Sequence, residues 1–174
     1  MKTLFRTATV AAVFAVTYGL SSAVLAQAKL EAADASMLKD IAQASIAEVE
    51  TGKVAVEKTN SADIKKFAQM MVEDHTKGLS DVGSLAKNKG VELPDGPDAK
   101  HRAAMLKFKA LQGDAFDRQY VKQAGVDDHE ATEKLLKKTQ AEAKDPEVKA
   151  LATKMLPVVQ GHLAHSQRLA GSVK

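Results

Sequence analysis

Few residues of this chain could do chemistry. Cysteine is absent, which removes disulfides, thiolate metal sites and cysteine nucleophiles together. Five histidines remain, and two of them stand on the apolar side of helical patterns. In NSADIKKFAQMMVEDHTKGLSDVGSLAKNKG, residues 60–90, Ile64, Ala68, Met71, His75, Leu79, Val82 and Ala86 recur at steps of three and four, the spacing of one helical face. DPEVKALATKMLPVVQGHLAHSQRL, residues 145–169, is a weaker copy whose inward stripe is Val148, Ala152, Met155, Val159, His162, Ser166 and Leu169. Glu48 shares an apolar face with Leu38, Ile41, Ser45, Gly52 and Ala55 in an earlier segment, and Asp128 or His129 reaches the core side of a later one.

Histidines and carboxylates that converge inside a helical bundle are how such folds hold metals. Imidazole with carboxylate suits Zn, Fe, Mn or Cu(II), so one divalent transition metal ion is the cofactor these side chains would take. Di-iron bundles use Glu-x-x-His on two helices. Val72 and Val159 stand where those glutamates belong, and Asp74 projects in another direction, so ferroxidase or di-iron oxidase chemistry is disfavoured. A mononuclear site with about three protein ligands is the better metal hypothesis. It uses Glu48, His75 and His162, with Asp128 or His129 as a fourth ligand. That site needs the His75 and His162 nitrogens within about 4–5 Å of each other, and a separation beyond about 8 Å would exclude it. The competing reading is structural: the same groups satisfy one another by hydrogen bonds and fix the register of the bundle.

Other chemistry finds less support. Met71 and Met155 read as core filler rather than copper ligands, His165 falls on a helix flank, and His101 reads as exposed. Ser45, Ser84 and Ser166 fall in mid-helix with no strand-to-helix elbow, and no Gly-rich phosphate loop is present. No catalytic residue is assigned.

The elements that must position these groups are helices. Aromatics are only 4% of the chain and tryptophan is absent, a composition that favours packed helices over a sheet. The first helix is expected over residues 36–59, with Gly52 tolerated inside it where a neighbouring helix approaches closely. Asn60 or Ser61 caps the second helix and Gly90 ends it. VELPDGPD leads to a short crossover helix from Asp98 to about Leu111. Asp114 is expected to cap a third helix running to about Lys144. In that helix Phe116, Tyr120, Ala124, Asp128 and Leu135 fit one face, whereas His129, Thr132 and Leu136 fit a face shifted by one residue. A π-bulge near Gly125 reconciles the two; ordinary drift, with His129 on a wet flank, is the alternative. Asp145-Pro146 opens the last helix, which Pro157 should kink, releasing the Thr153 carbonyl.

Residues 1–26 read as a signal peptide: Lys2 and Arg6 precede an apolar run from Ala8 to about Leu20, and small residues lead to cleavage after Ala26 or Ala28. The apolar run is short for a membrane span, so a periplasmic or secreted location without stable membrane insertion is expected. Residues 27–35 read as a flexible mature N-terminus ahead of one domain, 36–174. Without Lys2 and Arg6, 23 basic residues face 22 acidic ones, interspersed along the chain. Neither a basic face nor stacking aromatics are present, which argues against nucleic-acid binding.

GKVAVEKTNSADIKKFAQMMVEDHTK, residues 52–77, together with MLPVVQGHL, residues 155–163, resembles the DUF4142 family over nearly all of the mature chain. The resemblance implies an exported bacterial protein of unknown function in the ferritin-like superfamily: an all-α, ferritin-like four-helix bundle with a short crossover helix between two helix pairs. It supplies no activity. The expected role is an envelope or stress-related structural or interaction module, non-catalytic, with a buried His/carboxylate cluster. Its partner would be another protein or a second copy of the chain. The metal-binding protein is the alternative.

Overall fold

The computed structural model describes residues 30–173, and every regular element among them is helical. The signal-peptide reading falls outside the described residues. Helix α1 (Ala32–Lys58) and α2 (Ala62–Lys89) form one pair; α3 (Ala99–Ala110) is the crossover. The third long helix consists of α4 (Gly113–Tyr120), a π-helical segment (Val121–Asp127) and α5 (Asp128–Glu142), and α6 (Pro146–Ser172) closes the bundle. Short loops make α1 antiparallel to α2 and α5 antiparallel to α6, while the crossover returns the chain so that α5 runs beside α1 and α6 beside α2. This is the ferritin-like four-helix bundle with a crossover helix.

Local chemistry explains the boundaries. Ser61 accepts from the Ile64 amide at the start of α2, and Asp98 accepts from the His101 amide at the start of α3. Gly90 takes a φ of 65°, and Val91 N–H donates to the Ala86 carbonyl at 2.9 Å while Gly90 N–H donates to Lys87, a Schellman closure. Asp145 caps α6 by accepting from the Glu147 and Val148 amides. Helix α6 continues through Pro157; the Thr153 carbonyl that loses its donor there belongs to an exposed residue.

Three expectations are corrected, two about boundaries and one about exposure. Helix α1 starts at Ala32 rather than Ser36, and Leu30 is buried, so the expected flexible stretch 27–35 is structured from residue 30 onward. The reason is Asp34, whose carboxylate accepts from the amides of Lys144 and Asp145 at 2.6–3.1 Å and ties the start of α1 to the α5–α6 turn. Asp114 is not the cap of α4; Gln112 holds that position and Asp114 lies in the first turn. His101 is not exposed but packs against its own helix start, with Nδ1 2.8 Å from Asp98 Oδ1.

Among the described residues the core has three apolar clusters, and a polar layer separates the two larger ones. One gathers Ala55, Phe67, Met71, Phe108, Phe116, Tyr120 and Leu169, and the other Leu38, Ile41, Val82, Leu136, Ala152 and Val159. On every long helix the residues between these clusters are polar and buried: Glu48 on α1, His75 on α2, His129 on α5, and His162 with Ser166 on α6. Two glycines let the helices approach at this level. A Cβ on Gly52 would stand 2.9 Å from Val72 Cγ2 and 3.2 Å from the Ala68 carbonyl, the close approach expected of that residue. A Cβ on Gly125 would stand 2.8 Å from Ser166 Cβ.

Candidate metal centre

The π-helical segment decides which residue of the third helix enters the core. Its wider turn runs through Gly125, where the sequence pattern shifts, and rotates the start of α5 so that His129 is 1% exposed while Asp128 stays half-buried. Carbonyls in this segment find side-chain donors. His129 Nδ1–H donates to the Ala124 carbonyl at 2.8 Å, and Ser166 Oγ–H donates to the Gly125 carbonyl at 2.7 Å. A carbonyl can only accept, so the bond to Ala124 fixes the proton of His129 on Nδ1 and leaves Nε2 as a lone pair.

His162 is held in the complementary way. Its Nε2–H donates to Asp74 Oδ2 at 2.8 Å, which leaves Nδ1 unprotonated. His75, from α2, completes a triangle of imidazoles. Ring centres are 5.5 Å apart for His75 and His129, 5.3 Å for His75 and His162, and 5.4 Å for His129 and His162. One candidate ligand nitrogen from each ring lies within 4.8 Å of the other two. His75 Nε2, His129 Nε2 and His162 Nδ1 are buried and have no hydrogen-bond partner among the described residues.

This arrangement fits an ion. With metal–nitrogen bonds of about 2.0–2.1 Å, and ring centres about 1.2 Å behind the nitrogens, three imidazoles on one ion place their centres roughly 5.2–5.6 Å apart. The rings already have that spacing. The Asp74–His162 bond and the Ala124–His129 bond are the outer-shell contacts that orient imidazole ligands at metal sites. The separation required of His75 and His162 is met.

Electrostatics set the protonation of the layer. Burial, with the other two imidazoles nearby, holds His75 well below the usual imidazole range. Burial pushes His129 down to about 4 against the pull of its Ala124 bond, and pushes His162 down despite the Asp74 carboxylate. All three rings are therefore neutral at pH 7, the form that binds metals. Burial and the charge of Asp128 drive the Glu48 carboxyl well above the usual carboxylate range.

The structure brings His75, His129 and His162 together but sets the two carboxylates apart from them. Glu48 Oε1 stands 3.6 Å from His129 Nδ1, the edge of the ring that is already engaged, so Glu48 backs this ring instead of sharing an ion with all three. Asp128 points outward to Lys100 at 3.4 Å. The mutual hydrogen bonding expected of the core histidines is absent among the described residues: each imidazole keeps one nitrogen unpartnered. His165 rests on Phe67, with ring centres 5.2 Å apart, away from the triangle. Asp74 is the residue that sequence reasoning missed as a partner. Its position next to His75 turns it away from that ring and toward α6, a direction that becomes informative only when the neighbour is known.

A cleft of about 120 Å³ between α2 and α6 ends on the His75 and His162 rings. Among the described residues no helix is long and apolar enough to cross a membrane.

Comparison with solved structures finds the same fold in the crystal structure of a DUF305 fragment from Deinococcus radiodurans. It matches with a TM-score of 0.74 at 12% identity, over 83% of this chain and 99% of that one. At that identity the likeness speaks for the fold alone. Comparison with curated proteins finds no match. The model of a domain of unknown function, DUF4142, matches residues 19–169, and the chain belongs to that family.

Proposed function

We propose that this chain is an exported helical-bundle protein that binds one divalent transition metal ion through His75, His129 and His162. The observation that carries the reading is the set of three neutral, buried imidazoles, each with one unpartnered nitrogen, all within 4.8 Å of one another. Three imidazoles without a thiolate suit Zn, Cu, Fe or Ni, and three protein ligands leave a position open for water or another small ligand. The signal-peptide reading of residues 1–26 supports a periplasmic or secreted location, where such an ion is met outside the cytosol. Glu48 and Asp74 then serve as positioning residues, one behind His129 and one behind His162.

The structural reading, a polar layer that fixes helix register in an envelope module, is supported by the position of the three rings between two apolar clusters. Calorimetric titration of metal-free protein with Zn2+ separates the two. The metal reading expects one equivalent bound, and Asp74→Ala weakens binding by about 10–100-fold because His162 loses its orienting carboxylate. No heat of binding, or saturation unaffected by Asp74→Ala and by loss of the three histidines, supports the structural layer instead.

A further inference from the structure

We infer that the open position of this metal site is a small-anion site reached through the α2–α6 cleft, a proposal that rests on the metal reading above. The cleft walls include Gly78, Met155, Val158 and Val159, and its floor includes the His75 and His162 rings. His129 and Glu48 do not line it, so an ion on the three nitrogens is approached from the His75–His162 side. At about 120 Å³ the space holds a ligand of only a few heavy atoms; clefts for organic molecules are several times larger, roughly 300–1,000 Å³.

The ion sets the sign of the ligand. Asp74, Lys77, Asp81 and Lys154 line the cleft, two acids and two bases. Asp74 accepts from the neutral His162 ring at 2.8 Å and keeps its charge, and Asp81 is paired with Lys154 at 2.7 Å. Lys77, without an ion-pair partner among the described residues, balances Asp74. A divalent cation on three neutral imidazoles is then the net charge of the cleft, and it is positive. A small inorganic anion that coordinates metals meets that charge, a fitting volume and an open coordination position.

Azide is the probe, and Co2+-loaded protein is the reporter, since cobalt adopts zinc geometries and its visible spectrum responds to a change of ligand. The wild type should show a saturable spectral change with azide. Gly78→Leu introduces a side chain into the wall of the cleft; its Cβ meets only the flexible Met155 Cε, at 3.1 Å. This variant should retain its cobalt and bind azide at least about tenfold more weakly, as a filled pocket does. Lys77→Gln, on an exposed turn, should weaken azide by about threefold without changing cobalt binding. Cobalt bound with no azide response, or with an azide affinity equal in wild type and both variants, overturns the anion site while leaving the metal reading in place. Failure to bind Co2+ and Zn2+ at all overturns both.

Discussion

Metal-free protein should lose several kcal/mol of stability between pH 7 and pH 4.5. Above about pH 7.5 the core imidazoles are neutral in both folded and unfolded chains and contribute no pH dependence. As pH falls, unfolded imidazoles take up protons at their ordinary value, whereas the buried ones resist; His129 does so down to about 4. Unfolding therefore binds protons, and stability falls with pH across that window. For His129 alone the loss is roughly 3 kcal/mol at full development, and His75 and His162 add to it because burial holds both below the ordinary value. Glu48 opposes this: its carboxyl stays protonated above the ordinary range in the fold, so its contribution is present at acid pH and is lost as pH rises through its folded value. One carboxyl does not cancel three imidazoles. The paired carboxylates Asp98, Asp145 and Glu133, held below their ordinary values, act in a lower window. Denaturant titrations at pH 7, 6, 5 and 4.5 in the presence of a chelator measure the curve. A stability that is flat or rising toward pH 4.5 would contradict neutral burial of the three rings.

The second large effect is the coupling of metal to folding. An ion that binds only the folded chain stabilises it by about 4 kcal/mol at a thousandfold excess over its dissociation constant. For a domain of this size that raises the melting temperature by roughly 10 °C. Combined His75→Ala and His162→Ala should abolish this rise. The metal-free double variant should stay folded, because the Asp74–His162 bond is the only side-chain hydrogen bond that either ring makes among the described residues, and its acid sensitivity should shrink with two buried imidazoles gone. A variant that collapses without metal, but still melts later with it, would place the ion elsewhere.

Much of this architecture is legible in the residues alone. Apolar steps of three and four place α2 and α6, Gly90 and Asp145-Pro146 mark their ends, and Gly52 announces a close helix approach. The one-residue slip between Asp128 and His129 announces the π-helical segment, because only an inserted residue lets Tyr120 and His129 face the same interior. The composition of the site is less legible. A helical face tells which side of its own helix a residue occupies, not which neighbour it meets or at what height. Glu48 and His129 both face inward, yet only the packing puts the carboxyl behind the ring's engaged nitrogen. Asp74 lies about 100° around the helix from His75 and reads as a surface residue until α6 is set beside it. Asp34 reads as part of a loose N-terminus because its partners, the amides of Lys144 and Asp145, lie more than a hundred residues away.

The central claim is that the three histidines hold an ion in the protein as it is made. Elemental analysis of untagged protein purified from its native compartment, with melting curves before and after chelator, tests that most directly. About one equivalent of a transition metal is predicted, with a melting temperature that falls on chelation and returns when the metal is restored. Protein isolated without metal, whose melting curve chelator and added metal leave unchanged, would contradict the claim and leave the imidazole layer a device of folding.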